Sequence, residues 1–146
     1  MCIRDRYLYR FQKKLRAEEK ATDIVSRFIY RFSKNILGTK LGIYIPAGVF
    51  DEGLHIWHYG NIIVNAESKV GKNCMLHGDN CIGNNGKTEG CPIIGDNVDI
   101  GTGAKILGNI QIANGVKIGA GAVVVKSCLT ENATIVGIPA KEIYRK

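Results

Sequence analysis

Residues 94–124 read IGDNVDIGTGAKILGNIQIANGVKIGAGAVV, and every sixth position, at Ile94, Ile100, Ile106, Ile112, Ile118 and Val124, is aliphatic. Traced backwards, the same beat passes through Ile82, Leu76 and Val70 to Val64, with Thr88 its one polar member. Glycine follows the beat at 71, 83, 95, 101 and 119, and small residues stand four places after it, at Ser68, Cys74, Ala104 and Ala122. A six-residue beat fits neither the strand period of two nor the helical period of 3.6. It fits a solenoid with three flat sides, in which each side turns one aliphatic inward and each corner uses a residue tolerant of positive φ. Three hexads make a coil of about 18 residues, and stacked coils pair as parallel strands about 4.8 Å apart. Cys74 and Cys128 fall on the small-residue beat and read as packing.

Outside the repeat the pattern changes. The 146-residue chain is 45% hydrophobic, the size and composition of one globular domain. Its net charge of +7 resides in residues 1–41, with 11 Lys and Arg against 4 Asp and Glu, whereas residues 42–146 balance. That basic arm is a candidate contact for an anionic surface such as the inner face of a membrane, or else a solvated helical face. Within it Ile24, Val25, Phe28, Ile29, Phe32 and Ile36 repeat at helical spacing, with Thr22 or Asp23 to cap the start and Gly38 to end the helix. Tyr7, Leu8, Phe11 and Leu15 outline a weaker helix before it, while the opening MCIRDR shows no periodicity and is set aside from the fold. Two domains are expected: a basic helical extension over 1–41 and a solenoid with a C-terminal cap over 42–146.

Five cysteines without a CxxC pair argue for reduced thiols and a cytoplasmic setting, against disulfides and zinc knuckles. No apolar run approaches the roughly 20 residues that cross a bilayer, and no signal peptide is visible before residue 40.

The segments GLHIWHYGNIIVN (53–65), KVGKNC (69–74), IGTGAKILGNIQI (100–112), IGAGAVV (118–124) and GIPAK (137–141) resemble the hexapeptide-repeat acyltransferases. The likeness is to the serine acetyltransferase branch, and within it to enzymes that O-acetylate polysaccharide. It implies an all-β fold, a left-handed parallel β-helix with a short N-terminal helical extension. It also implies acetyl-CoA as acyl donor, no metal, no nucleic acid and a homotrimer. In that branch a histidine six residues before the first inward aliphatic is the base, which implies that His58 takes the proton of the acceptor hydroxyl. By register alone His58 also falls on an inward beat, where a buried structural imidazole is the plain reading. His77, one coil and one residue later, is similar to the histidine of the polysaccharide branch's NCxxH pattern and is the second catalytic candidate. His55, Trp57, Asp79 and Cys91 are candidate substrate contacts. Thr102, Ala120, Lys126 and Lys141 are candidate coenzyme contacts, the first two through backbone groups and the lysines through CoA phosphates.

Two departures from the branch matter. The aspartate that pairs with its base, roughly 15 residues upstream, is replaced here by Ile43, which leaves Asp51, Glu52 or a backbone carbonyl to orient His58. The charges that recognise serine are replaced by Trp57 and, in the excursion GNNGKTEGCPI (83–93), by Gly90 and Cys91. The expected acceptor is therefore a sugar hydroxyl of a surface polysaccharide or its precursor, with serine O-acetylation for cysteine biosynthesis as the alternative. Zinc carbonic anhydrases share the solenoid, but His55 and His58 are too close in sequence to converge easily on one ion. A solenoid used only as a scaffold is the remaining class.

Overall fold

The computed structural model describes residues 3–87 and 89–143, with side chains from residue 6 onward. Met1, Cys2 and Thr88, on which expectations were placed, lie outside the described residues. The repeat folds as a three-sided helix of short parallel strands. Its first face stacks β1 (Ile43–Tyr44), β3 (Ile62–Val64), β6 (Cys81–Gly83), β9 (Lys105–Leu107) and β12 (Val123–Val124). The second stacks β4 (Lys69–Val70), β7 (Ile93–Ile94) and β10 (Gln111–Ile112), extended at its ends by bridges from Phe50 to Val70 and from Cys128 to Ile112. The third stacks β2 (His55–Ile56), β5 (Met75–Leu76), β8 (Asp99–Ile100), β11 (Lys117–Ile118) and β13 (Thr134–Gly137). It ends in β14 (Ala140–Ile143), which folds back antiparallel on β13.

Every aliphatic on the six-residue beat from Val64 to Val124 points inward, none more than 3% exposed. Each such side chain contributes about 1.5–3 kcal/mol by leaving water. Cys74 and Cys128 are buried in the same column, and burial pushes the Cys74 thiol up to about 11, so it packs as a small apolar group. The corners carry the residues that a positive φ demands, with Asn73 at 54° and Asn97 at 55°.

The beat slips at one corner. Ile56 pairs with Leu76 across the third face, but Val64 pairs with Ile82 across the first, so the corner between β2 and β3 holds two extra residues. Ile62 and Val64 are both buried, and the inward residue of the preceding rung is Ile56. His58, which the unbroken register places inward, is instead exposed on the corner. The excursion over 83–93 inserts one hexad between the first and second faces, between β6 and β7.

Helices α1 (Ile3–Lys20) and α2 (Ile24–Leu41) precede the solenoid. Part of the set-aside opening is helical, since α1 begins at Ile3, and Leu8, Phe11 and Leu15 join the apolar core beside Leu41, Ile43 and Ile45. The Asp23 carboxylate accepts from Ser26 N–H at 2.7 Å and caps α2. The helix does not stop at Gly38 as expected. It runs on to Leu41 and ends at Gly42, whose φ of 68° is the left-handed cap. Gly38 has a packing role, because a Cβ there would press on the Ile43 carbonyl and lie 3.2 Å from Phe11 Cε2. Neither helix is long and apolar enough to cross a membrane.

Candidate functional site

The corner from the third face to the first gathers most of the chemistry. Parallel stacking sets the outward residues of the third face in columns, and His55, Met75, Asp99 and Lys117 form one of them. The next column runs from Trp57, whose N–H donates to Leu76 O, to His77, whose N–H donates to Ile100 O, and on to Gly101 and Gly119. The rings of Trp57 and His77 therefore stack, with centroids 5.8 Å apart and planes at 19°, while His55 meets Trp57 edge-on at 4.5 Å.

His77 Nε2 lies 2.8 Å from Asp99 Oδ1, and both side chains are about one-third exposed. The Thr102 hydroxyl donates to His77 O at 3.2 Å, which ties the backbone of that corner to the following coil. Asn80, fully buried, accepts from Gly78 N–H through Oδ1 and donates to Gly101 O at 2.8 Å through Nδ2. The turn that carries His77 is thus clamped on two sides. His58 sits one coil earlier, with its Cβ 3.4 Å from where a Cβ on Gly78 would stand. It makes no hydrogen bond among the described residues. Asp51 and Glu52, the acids considered for orienting it, lie at the opposite edge of the third face, where Asp51 N–H donates to Val70 O.

Below His77 the corner narrows to Gly101, Thr102 and Gly103, then Gly119, Ala120 and Gly121. A Cβ on Gly101 would fall 2.7 Å from Ala120 N, so only glycine allows the coils to stack there. The N–H groups of Thr102 and Ala120 point to no acceptor among the described residues, which leaves two backbone donors beside the imidazole column. Asp79, at φ 52°, lies 3.5 Å from Lys105 Nζ through Oδ1 and adds an opposed charge pair to the same corner.

The remaining candidates lie elsewhere in the single chain. Cys91 is buried, its thiol facing Glu67 Oε2 at 3.9 Å, on the far edge of the first face from the histidines. It is not brought into the cluster as a substrate contact. Lys126 follows β12 at that far edge, and Lys141 stands on β14 opposite Val136. A cleft of about 460 Å³ opens between α2 and the first coil, reaching Asn61 but no histidine. No three His, Cys, Asp or Glu side chains gather as a metal site among the described residues.

Sequence reasoning missed Asp99 and Asn80. Asp99 stands directly before the beat residue Ile100, so its outward direction was readable. Its meeting with His77 was not.

No protein-family model matches the chain. It is 34% identical over 124 residues to a serine acetyltransferase of Synechococcus elongatus, which spans 84% of this chain and 49% of that protein. It is 35% identical over 118 residues to a serine acetyltransferase of Staphylococcus aureus, over 80% of this chain and 54% of that one. The solved serine acetyltransferase of Brucella abortus in complex with coenzyme A superimposes with a TM-score of 0.75 at 30% identity, over 90% of this chain and 53% of that chain. The Neisseria gonorrhoeae serine acetyltransferase in complex with serine does so with a TM-score of 0.75 at 28% identity, over 92% and 55%. The chain thus spans about half the length of the relatives it matches.

These homologues correct the expected acceptor. Polysaccharide O-acetylation was inferred from the missing charges at Trp57, Gly90 and Cys91, but the matched proteins are named for serine. The inference weighed only positions 57, 90 and 91; the fold also brings Asp99 and Lys105 from other coils to the corner of Asp79, itself a candidate substrate contact.

Proposed function

From a chain that has the hexapeptide-repeat acyltransferase fold and homologues named serine acetyltransferase, we propose transfer of an acetyl group from acetyl-CoA to the hydroxyl of serine. The observation that carries the reading is the cluster of imidazoles, His58 and His77, on the same corner as two backbone N–H groups without an acceptor among the described residues. An imidazole accepts the hydroxyl proton as the serine oxygen attacks the thioester carbonyl. The tetrahedral intermediate collapses, the C–S bond breaks, and the CoA thiolate takes the proton back. No acyl-enzyme is needed.

The Thr102 and Ala120 N–H groups suit the amide carbonyls of the pantetheine arm, and Lys126 and Lys141 suit the CoA phosphates as point charges. Asp79 and Lys105 offer opposite charges to the ammonium and carboxylate of a free amino acid. The reading includes a homotrimer, supported by Tyr44 and Ile63, adjacent outward residues of the first face that are 61% and 56% exposed. Light scattering of the active protein checks that state.

Thiol release from acetyl-CoA with L-serine, D-serine, threonine and no acceptor tests the activity. L-serine should raise the rate well above the acceptor-free value, and an unchanged rate overturns the reading. Lys126→Ala and Lys141→Ala should raise KM for acetyl-CoA with kcat nearly constant, since phosphates are held equally in ground and transition states.

A further inference from the structure

We infer that the outer face of α2 is a docking surface for an anionic lipid bilayer, on which the helical arm lies flat. The inference goes beyond the acyl-transfer reading and does not rest on it, and its test needs no turnover.

α2 carries six apolar side chains, Ile24, Val25, Phe28, Ile29, Phe32 and Ile36, on one side, and each is between 45% and 85% exposed. Its buried residues Lys34, Gly38 and Leu41 recur at spacings of four and three on the opposite side, through which the helix docks. Phe28 and Phe32 stack on each other, with ring centroids 6.5 Å apart and planes at 11°. A face that is merely solvated carries polar side chains, whereas a continuous apolar face turned to water marks an interaction site.

The surrounding charge selects the occupant. The described acids of the arm are already engaged: Glu18 meets Arg31 and Lys34, Glu19 meets Arg16, and Asp23 accepts from the Ser26 N–H that it caps. Arg6, Arg10, Lys13, Lys20 and Lys40 are exposed and form no ion pair among the described residues. Lys14 Nζ donates to Ser33 Oγ at 2.8 Å, so α1 runs alongside α2 and adds its cations to the same arm. At 3.6 residues per turn, Arg27 and Arg31 border the apolar face on one side and Lys40 borders it on the other.

A second copy of the arm would set these cations against themselves. A nucleic acid would meet the cations but leave the two phenyl rings in water. The headgroup layer of an anionic bilayer satisfies both, since its phosphates meet the lysines and arginines while the acyl boundary takes the rings and the isoleucines. The long basic side chains at the borders reach the headgroups as their stems lie along the apolar layer. Neither helix is long and apolar enough to cross a membrane, so α2 lies in the interface plane, with its 18 residues spanning about 27 Å.

The experiment is co-sedimentation of the full chain with vesicles of phosphatidylglycerol and phosphatidylcholine in equal parts, against vesicles of phosphatidylcholine alone. The anionic vesicles should bind at least roughly tenfold more tightly, and added salt should weaken that binding. Phe28→Ser combined with Phe32→Ser should weaken it roughly tenfold or more, with the melting curve nearly unchanged because both rings are exposed. Arg10→Gln, Lys13→Gln and Lys40→Gln should each weaken it roughly fivefold, and they leave the arm's ion pairs intact. Equal binding to the two kinds of vesicle, or no binding to the anionic ones, overturns the inference. Binding that is indifferent to the loss of both rings also overturns it, since charge alone then holds the chain. An oligomer in lipid-free solution that Phe28→Ser with Phe32→Ser dissociates overturns it as well, because a second copy then occupies the face.

Discussion

The solenoid and the helical arm carry apolar patterns of similar clarity and use them in opposite ways. In the solenoid every aliphatic beat residue from Val64 to Val124 is buried. On α2 the equally regular Ile24, Val25, Phe28, Ile29, Phe32 and Ile36 face outward, Ile24 at 85% exposure and Phe28 at 68%. The weaker pattern of α1 supplies the buried side chains Leu8, Phe11 and Leu15. A repeat generates its own partner, because each coil presents the next with an aliphatic inward residue in register. A helix must find its partner elsewhere. The inner side of α2 therefore docks through polar chemistry as well as through Leu41: Lys34, almost fully buried, meets Glu18 Oε2 at 3.0 Å and donates to Ile45 O at 3.0 Å, and Arg31 Nε holds Glu18 Oε1 at 2.8 Å.

The contrast is sharpest in the core. Leu76→Ala should cost about 2–5 kcal/mol in urea unfolding, since the stacked coils cannot collapse into the gap. A loss under 1 kcal/mol would mean that the column is not the structural spine.

Glu18→Gln should cost about 3 kcal/mol, because it leaves the Lys34 ammonium buried without its counter-charge. The pH dependence has a defined sign. Burial works to raise the Glu18 pKa, but the hydrogen bonds and charges of Arg31 and Lys34 outweigh it and hold the group below its ordinary 4.5. The pair therefore stabilises fully above that value and loses its contribution as pH falls through the depressed one. Wild-type melting should drop over that acidic range, and Glu18→Gln should lack that part of the drop.

Gly38→Ala tests which force governs the helix–solenoid contact. Helix propensity alone favours alanine by about 1 kcal/mol, whereas the clash with the Ile43 carbonyl should turn the result into a loss of about 1–3 kcal/mol. A more stable variant would show that the contact yields.

The smallest effect is expected at Phe28→Ser, within about 0.5 kcal/mol, since an exposed ring loses little. A loss above about 1.5 kcal/mol that depends on protein concentration would break the comparison by showing that copies of the chain cover this face.

Much of the solenoid was legible because its cause is local. Ile94 to Val124 name their own inward positions, and the excursion over 83–93 announces itself by its glycines and its interrupted beat. The excursion also concealed the site. Because it adds a net one hexad, it keeps the six-residue beat in step while lengthening the coil by six residues, so Met75 pairs with Asp99 rather than with a residue 18 places on. Counting one ordinary coil from His77 reaches Gly95, and the acid that meets it was out of view. The two extra residues between Ile56 and Ile62 misplaced His58 by the same mechanism, a change of phase at a corner.

The sequence by itself determined the inward column, the three-sided coil and the presence of two helices, since each follows from the spacing of neighbouring side chains. Only the tertiary structure decided that Asp99 holds His77, that Trp57 covers it, and that α1 rather than α2 turns its apolar side to the core. Those contacts depend on how many residues each corner holds and on which surface is left when the coils have stacked, and no short-range period carries either quantity.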